Sequence, residues 1–387
     1  MVFTLTMGQG FYKCSLLEPN LLLLRIKKSY IHLMFERRRT KRVGKALRVS
    51  ILLVFLGLVI MVIVVYKLYE RVYVPNVALN AEAELFYIPT GSDFEYVIDQ
   101  LEKQSMIENR KSFRWVAIKK GYDKSVKAGR YKIRNGQSNN DLINQLRSGK
   151  QDPVMVVFNN VRTLNHVAGK ISQYLEKDSA DFAAYFSNPE LPGDYGFEPT
   201  DFTSMFVPET YEFFWNTSPE AFTERMKIEY DKFWKGERDR KAEGMEMSRS
   251  EVVTLASIVD EETLYDDENV RVAGLYMNRL EKGIALQADP TLKFALGDFS
   301  RQRILNVDKK IESPYNTYKY KGLPPGPISI PSVSAIDGVL NYENNNYLYM
   351  CAKADFSGNH AFARDYSQHL KNAREYQREL NKRKIYK

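Results

Sequence analysis

The feature that most constrains this chain is an uninterrupted apolar run from Val49 to Tyr66, VSILLVFLGLVIMVIVVY. A charge-free run of about 18 residues is long enough to cross the hydrocarbon core of a bilayer as a helix. Seven basic residues lie between Arg37 and Arg48, whereas only Lys67 and Arg71 follow soon after the run. The positive-inside rule therefore predicts a single-pass protein of the inner (cytoplasmic) membrane, with its N-terminus in the cytoplasm and the rest outside.

A cleaved signal peptide is the competing interpretation of this run. The run is long, and no small-residue cleavage site follows it, so we favour a permanent transmembrane anchor over residues 49–66. The basic tail covers residues 1–48. Its first 33 residues have no recognisable pattern, and the segment that begins at Met34 would be an ordinary start for such an anchor. We therefore interpret residues 1–33 as a mis-called translation start.

The positive charge of the chain is confined to this tail. The whole chain has a formal charge of +8, and the residues up to Ser50 contain eleven Lys or Arg and two acids, which is +9. The remainder therefore carries about −1. A nucleic-acid-binding protein needs basic residues spread over a folded face, so nucleic acid is not an expected partner.

Composition allows more than one folded unit outside the membrane. The 387 residues are 44% hydrophobic and 27% charged, which is ordinary for globular domains. The two cysteines, Cys14 and Cys351, lie on opposite sides of the predicted anchor and cannot pair within one chain. The sequence therefore predicts neither a disulfide framework nor a cysteine-rich metal site.

An internal repeat marks the first unit after a short stalk at residues 67–83. At an offset of 45 residues, the segment from Ile88 aligns with the segment from Ile133, with identical residues at five positions. Each copy predicts a strand, a glycine turn and an amphipathic helix. In the first copy Phe94, Val97, Ile98 and Leu101 follow helical spacing.

Two such halves predict a small α/β subdomain over residues 84–150. The part with the sequence AGRYKIRNGQS, from Ala128 to Ser138, resembles the LysM-like N-terminal subdomain of one family of cell-wall enzymes. That resemblance leaves two roles open. The subdomain either binds glycan or only holds the rest of the chain away from the membrane.

Residues 151–387 mix short strands and longer helices without a fixed βαβ period, which favours an α+β domain. The sequence predicts a strand from Pro153 to Phe158, a helix from Ala221 to Trp234 and a charged terminal helix from Gln368 to Lys387. The fold class expected for the whole chain is therefore α+β. It combines a transmembrane helix, a small α/β subdomain and a mixed α+β domain.

The most informative segment is SRSEVVTLASIVDEET, from Ser248 to Thr263. Ser248 and Glu251 form a capping-box pattern that predicts a helix start. The apolar stripe of the helix contains Val259, and at 100° per residue Glu262 lies about 60° from it, whereas Glu261 lies nearly opposite. One carboxylate is therefore expected to point inward and its neighbour outward.

Three consecutive acids at the end of a helix oppose the helix dipole, so stability alone does not favour them. Burial beside apolar groups raises the pKa of a carboxyl, and a carboxyl that is protonated near neutral pH can act as a general acid. The alternative is that Glu262 pairs with a buried arginine or caps a loop. Spacing alone favours that alternative.

Other residues are candidates for contacts with substrate. Aromatic and hydrogen-bonding side chains of the YNTY segment suit sugar rings, and Glu209 offers a second carboxylate, but each has a structural alternative. Two histidines, His360 and His369, without a clear third ligand are weak evidence for a metal, so no metal or cofactor is expected. The candidate substrate-binding residues are Glu209, Gln287, Asp289, Tyr315, Asn316, Tyr318 and His360.

The segment LASIVDEET is similar to the signature of the YceG/MltG family of endolytic murein transglycosylases. Further matching segments follow in order, including FVPETYEFFW, YMNRLEKGIALQADPT and SPYNTYKYKGLPPGPISIPS, and they span nearly everything after the anchor. In that family a glutamate of this helix is catalytic. The motif places the role on Glu262, and Asp260 and Glu261 stand where family members often carry other charged residues.

The resemblance implies a lytic transglycosylase, which cleaves the bond between N-acetylmuramic acid (MurNAc) and N-acetylglucosamine (GlcNAc) in peptidoglycan and leaves a 1,6-anhydro-MurNAc end. Near the membrane the substrate is nascent glycan, so cleavage would terminate strand elongation, and peptidoglycan synthases are possible partners. The rival hypothesis is a non-catalytic peptidoglycan-binding or cell-division scaffold that keeps the fold. The intact motif around Glu262 argues against that rival.

Overall fold

The structure is a computed structural model that describes residues 19–158, 161–301 and 303–383. It begins with one long helix, α1 (Pro19–Tyr73). The first 18 residues of the predicted tail lie outside the described part of the chain. Within α1, the segment Gly44–Tyr73 is long and apolar enough to cross a membrane.

The apolar part of α1 is not covered by any other element in the described part of the chain. Every side chain from Val49 to Tyr66 is exposed. A helix that is apolar on all sides needs an apolar environment around it, because a folded protein in water rarely leaves so large an apolar surface uncovered. The helix is therefore compatible with a single membrane span.

The segment that the sequence predicts to be a stalk continues α1 at its start and packs against the first folded unit further on. Residues 67–73 continue α1, and Val77 is buried in the core of the first folded unit. Isolated β-bridges join Pro75 to Ser138 and Val77 to Ile107. The helix is thus tied directly to that unit.

The first unit, here called the small module, has the paired halves that the repeat predicts. Each half is a strand followed, after a turn, by a helix. Its two strands are antiparallel, with Ile88 opposite Gly129, and the predicted residues Phe94, Val97, Ile98 and Leu101 are all buried. The elements are β1 (Ala83–Ile88), α2 (Phe94–Lys103), α3 (Arg110–Lys119), β2 (Gly129–Arg134) and α4 (Asn139–Ser148).

The remaining elements form the large domain, which has a separate hydrophobic core. Its strands form two antiparallel pairs, β3 with β4 and β5 with β6. The strands are β3 (Val154–Val157), β4 (Thr210–Phe213), β5 (Tyr349–Ala352) and β6 (His360–Ala363). The helices are α5 (Leu164–Ile171), α6 (Ser179–Phe186), α7 (Leu191–Asp194), α8 (Pro219–Trp234), α9 (Glu237–Gly244), α10 (Arg249–Glu262), α11 (Asn269–Glu281), α12 (Asp289–Leu296), α13 (Val333–Leu340) and α14 (Tyr366–Lys382).

This architecture confirms a mixed α+β fold. The predicted strand, helix and terminal helix correspond to β3, α8 and α14, with ends that differ by a few residues, and residues 384–387 lie outside the described part. The small module contacts the large domain through polar and aromatic groups. The Thr90 backbone N–H and hydroxyl both donate to the Glu176 carboxylate at 2.6 Å, and the rings of Tyr87 and Trp215 meet edge to face at 5.0 Å.

Helix α10 runs through the centre of the large domain. Its start is the predicted capping box: the Glu251 N–H donates to the Ser248 hydroxyl, and the Ser248 N–H donates to the Glu251 carboxylate. Sequence periodicity predicts one apolar stripe, whereas the structure buries all eight residues from Val252 to Val259. The helix is surrounded because α11, α12 and α13 all pack on it.

The proline-rich segment at residues 321–331 packs as a structural connection. The Ile328 N–H donates to the Ser257 hydroxyl of α10, and the Ile330 N–H donates to the Val161 carbonyl. At Gly326 an added Cβ would lie 1.9 Å from the Thr200 carbonyl oxygen, so only glycine fits there. These contacts hold α10 in place and leave its C-terminal end at a cleft.

Candidate active site

The three acids at the end of α10 have three different environments. The Asp260 carboxylate accepts hydrogen bonds from the N–H and hydroxyl of Ser332, the N-cap of α13. Glu261 points outward and forms an ion pair with Arg162, whose Nη2 lies 2.9 Å from both carboxylate oxygens. Glu262 is half-buried and lines a cleft of about 370 Å³. The orientations predicted for Glu261 and Glu262 agree with these positions.

Glu262 makes no ion pair with any residue in the described part of the chain. Its Oε1 accepts a long hydrogen bond of 3.4 Å from the hydroxyl of Tyr276, a buried residue of α11. The alternative of a buried glutamate–arginine pair is therefore wrong for the described residues. The carboxyl is left with one side toward the cleft.

The environment of Glu262 raises its pKa to about 7. Burial is the main cause, because it disfavours the charged form, and the negative charge of Asp289 acts in the same direction. The Tyr276 hydroxyl, the positive charge of Lys293 and the backbone N–H of Asp289 oppose the rise. A carboxyl with this pKa holds its proton in a large fraction of molecules at neutral pH, as a general acid must.

Asp289 lies beside Glu262 because α12 starts there. It is the first residue of that helix and lines the same cleft. The hydroxyl of Tyr318 donates to its carboxylate, and the ammonium of Lys309 lies 4.5 Å from the centre of the Tyr318 ring. This network holds a second carboxylate in a fixed position at the cleft.

Gln287 precedes α12 in a left-handed backbone conformation, with a φ of 57°. Non-glycine residues adopt this conformation at a cost and often near functional sites. Its N–H donates to the Thr317 carbonyl at 3.0 Å, and its side-chain oxygen accepts from Arg279 Nη2 at 2.8 Å. Gln287 is thus fixed at the cleft by two neighbouring segments, one through its backbone and the other through its side chain.

A histidine held by a buried glutamate lies on the β5–β6 side of the cleft. His360 Nδ1 is 2.7 Å from Glu268 Oε2, and the His360 backbone N–H donates to Glu268 Oε1 at 2.8 Å. Glu268 is 6% exposed and follows shortly after α10 in the chain. Two contacts from one carboxylate fix both the backbone and the ring of His360.

The polar groups of the cleft come from five parts of the large domain. They lie on α10, α11, the start of α12, the segment before the proline-rich connection, and the β5–β6 hairpin with α14. The polar lining contains Glu262, Tyr276, Arg279, Gln287, Asp289, Tyr318, His360 and His369.

A family model described as the YceG-like family matches residues 86–375, well over half of the chain. The chain belongs to the YceG-like family. This membership agrees with the sequence motifs around Glu262, and the matched range includes most of the small module and every residue of the cleft.

Named relatives of this YceG-like chain are bacterial proteins. A Bacillus subtilis protein named endolytic murein transglycosylase is 26% identical over 311 residues, which are 75% of this chain and 83% of that protein. A Streptococcus pneumoniae protein of the same name is 26% identical over 319 residues, 75% of this chain and 57% of its own length. A YceG-like protein from Listeria monocytogenes with a known crystal structure is 27% identical in sequence and matches with a TM-score of 0.50. The match covers 75% of this chain and 99% of the Listeria chain.

The structure brings five of the eight predicted site residues of this YceG-like chain to one cleft. They are Glu262, Gln287, Asp289, Tyr318 and His360.

The other three residues lie elsewhere. Glu209 is exposed just before β4, and Tyr315 packs against Phe294 with ring centres 4.6 Å apart. Asn316 is fully buried, and its amide nitrogen donates to the carbonyls of Lys309 and Ile311. Asn316 therefore closes its own loop, and none of these three residues lines the cleft, so their contact with substrate stays a prediction.

Three further polar residues of the site are absent from the sequence prediction: Tyr276, Arg279 and Glu268. Tyr276 and Arg279 follow Val272 at helical spacing. A charged residue on the apolar face of α11 could therefore have identified Arg279 as a candidate site residue. Glu268 has no such signal, because its partner His360 is 92 residues away in the chain.

Proposed function

We propose that this chain is a membrane-anchored endolytic peptidoglycan transglycosylase in which Glu262 is the catalytic acid and base. The observation that carries the proposal is the single glutamate carboxyl that faces the cleft with a pKa near 7. Membership of the YceG-like family and relatives named endolytic murein transglycosylase support the substrate class.

In the first step the protonated Glu262 donates its proton to the glycosidic oxygen between MurNAc and GlcNAc. The bond from C1 of MurNAc to that oxygen breaks, and an oxocarbenium-like centre forms at C1. The carboxylate of Asp289 stabilises this positive charge electrostatically. Gln287, Tyr318 and His360, which line the same cleft, contact the sugars.

In the second step the Glu262 carboxylate removes the proton of the C6 hydroxyl of the same MurNAc. The C6 oxygen bonds to C1 and closes the 1,6-anhydro ring, which returns the proton to Glu262. The substrate supplies the nucleophile, so no activated water is required. Ordinary glycosidases use a second carboxylate to activate water or to attack C1. Because Asp289 is a second carboxylate in this cleft, the chemical form of the product end decides between the two mechanisms.

The proposed location follows from α1. Its apolar segment crosses the inner membrane, with the basic tail in the cytoplasm and the large domain outside. The small module, which resembles a LysM-like subdomain, then holds the cleft close to the membrane, where nascent strands emerge from their synthases. Cleavage there terminates strand elongation.

The test uses the full-length protein in detergent and purified, uncross-linked glycan strands. We expect wild type to release fragments with 1,6-anhydro-MurNAc ends, which mass spectrometry separates from hydrolysed ends by the mass of one water. Glu262→Gln should lower the rate by at least about 10³-fold, because it removes the transferable proton.

Glu261→Gln is the matched control, because Glu261 is the adjacent acid and pairs with Arg162 outside the cleft. It should retain most of the activity. Hydrolysed ends would refute the transglycosylase mechanism. Equal activity of the wild type and Glu262→Gln would refute the role of Glu262, and a wild type that binds strands without cutting them would favour the scaffold hypothesis.

A further inference from the structure

Arg279 places a buried positive charge in the cleft. It is 5% exposed and keeps its charge at any physiological pH. Its guanidinium N–H groups donate to uncharged oxygens, which are the carbonyls of Ala285 and Leu348 and the side chain of Gln287. No carboxylate in the described part of the chain forms an ion pair with it. A buried charge without a counter-ion is costly to keep.

The acidic groups of the cleft form no ion pair with Arg279. Asp289 lines the same cleft, but its carboxylate accepts its hydrogen bond from Tyr318. Glu262 is protonated in a large fraction of molecules at neutral pH, so it supplies only part of a negative charge, and it forms no ion pair with Arg279. The cleft lining therefore contains a carboxylate at the start of α12 and, at Arg279, a cation that makes no ion pair with the described residues.

His369 adds an unpartnered polar atom near Arg279. Its Nδ1 is buried and has no hydrogen-bond partner within the described residues. The imidazole stacks on Tyr349, with ring centres 5.4 Å apart, and Arg279 lies 5.7 Å from the centre of the same tyrosine ring. Burial and the nearby charge of Arg279 lower the pKa of His369, so the ring is neutral at pH 7 and can donate one hydrogen bond.

We infer that Arg279 and His369 form a subsite for a carboxylate of the substrate. The inference rests on the proposed function. Two carboxylates of peptidoglycan have the required chemistry: the lactyl group of MurNAc in strands without peptide, and a carboxylate of the stem peptide in strands that carry it. Both are attached to MurNAc and absent from GlcNAc.

The position of the subsite gives it a role in bond selection. Arg279 follows Tyr276 by three residues, about one turn of α11, and the Tyr276 hydroxyl contacts Glu262. A carboxylate bound at Arg279 thus holds the MurNAc unit next to the proton donor. This sets the register of the strand, so that Glu262 meets the MurNAc–GlcNAc bond and not the alternate GlcNAc–MurNAc bond.

The test compares each substrate with its methyl ester on the full-length protein. One arm uses peptide-free strands with free or esterified lactyl groups, and the other uses peptide-bearing strands with free or esterified peptide carboxylates. We expect kcat/KM of wild type to fall by about 10- to 100-fold on esterification in the arm whose carboxylate binds Arg279, mostly through KM.

The variant Arg279→Gln should lose this discrimination, with free and esterified strands cleaved at rates within about twofold of each other. Arg271→Gln is the matched control, since Arg271 lies on the same helix and pairs with Glu343 at 2.9 Å, away from the cleft lining. It should discriminate as wild type does. If Arg279→Gln does not fold, equal cleavage of free and esterified strands by wild type still overturns the inference.

The outcomes are distinct. Equal cleavage of free and esterified strands by wild type in both arms overturns the carboxylate subsite and leaves the transglycosylase proposal intact. Discrimination that persists in Arg279→Gln also overturns it. A wild type that is inactive on all four substrates overturns the proposed function and the inference with it.

Discussion

Replacing Glu262 by Gln should stabilise the protein at high pH and have no such effect at low pH. The pKa of Glu262 is raised from 4.5 to about 7 in the folded state. One pH unit between the two values is worth about 1.4 kcal/mol, so ionising this group costs the folded state about 3 kcal/mol relative to the unfolded chain. Residual exposure to the cleft reduces the expected cost to about 2–3 kcal/mol.

The sign follows from proton binding. Below pH 4.5 the carboxyl is protonated in both states and costs nothing. Between pH 4.5 and about 7 only the folded state holds the proton, so the stability of wild type falls as pH rises through this window, and above about pH 7 the full cost is present. The amide side chain of the Glu262→Gln variant is neutral at every pH and avoids the cost.

The assay is thermal unfolding of the two full-length proteins in the same detergent at about pH 4.5 and about pH 8. At the higher pH we expect the variant to melt higher by about 5–10 °C, on the basis of about 2–4 °C per kcal/mol for a domain of this size. At the lower pH the two should agree within about 2 °C. Glu261→Gln should show no gain at the higher pH, because that residue is exposed and ion-paired. A gain of equal size at both pH values would refute the reasoning.

Three further predictions concern the rate and the packing. The kcat/KM of wild type should fall about tenfold per pH unit above about pH 7. In Asp289→Asn this fall should begin at lower pH, because the negative charge of Asp289 raises the pKa of Glu262. The same pH–rate profile in both proteins would contradict the effect of Asp289 on Glu262. Glu268→Gln should lower kcat/KM by about tenfold with a change in Tm below about 3 °C, because a neutral amide holds His360 less firmly than a carboxylate does. Steady-state kinetics and thermal melting measure the two effects. A rate equal to wild type would exclude a role of Glu268 in positioning His360. Gly326→Ala should lower the free energy of unfolding by about 3 kcal/mol or more, because its Cβ would meet the Thr200 carbonyl oxygen. Gly193→Ala is the control, since nothing lies within 4 Å of its added Cβ, and it should change the free energy of unfolding by less than about 1 kcal/mol. Equal melting temperatures of the two variants would contradict the close packing at Gly326.

Local patterns predicted the parts of this fold that depend on neighbours in sequence. The repeat identified both strand–helix halves of the small module, since glycine turns and amphipathic spacing act within about 15 residues. The capping box placed the start of α10 at Ser248, and rotation of about 100° per residue separated Glu261 from Glu262. Each of these inferences needs only the chain within a few turns.

The features that the sequence did not predict depend on contacts between distant segments. YNTY is polar and aromatic throughout, and nothing in its sequence shows that Asn316 turns inward to the backbone of its own loop whereas Tyr318 reaches Asp289. The pattern of α10 showed an apolar stripe, but burial on all sides requires three other helices to pack around it. Glu268 and His360 meet only because the β5–β6 hairpin folds back against the segment between α10 and α11.

The surroundings of Glu262 suit the proposed mechanism, in which one residue both gives and takes a proton. Burial and Asp289 favour the protonated form, while the Tyr276 hydroxyl, Lys293 and the N–H of Asp289 favour the carboxylate. Without the second set, burial would raise the pKa further, and the acid would release its proton too reluctantly. Without the first, the carboxyl would be ionised at neutral pH and could not start the reaction. A pKa near 7 keeps the two protonation states close in free energy, so one glutamate can serve as acid in the first step and as base in the second.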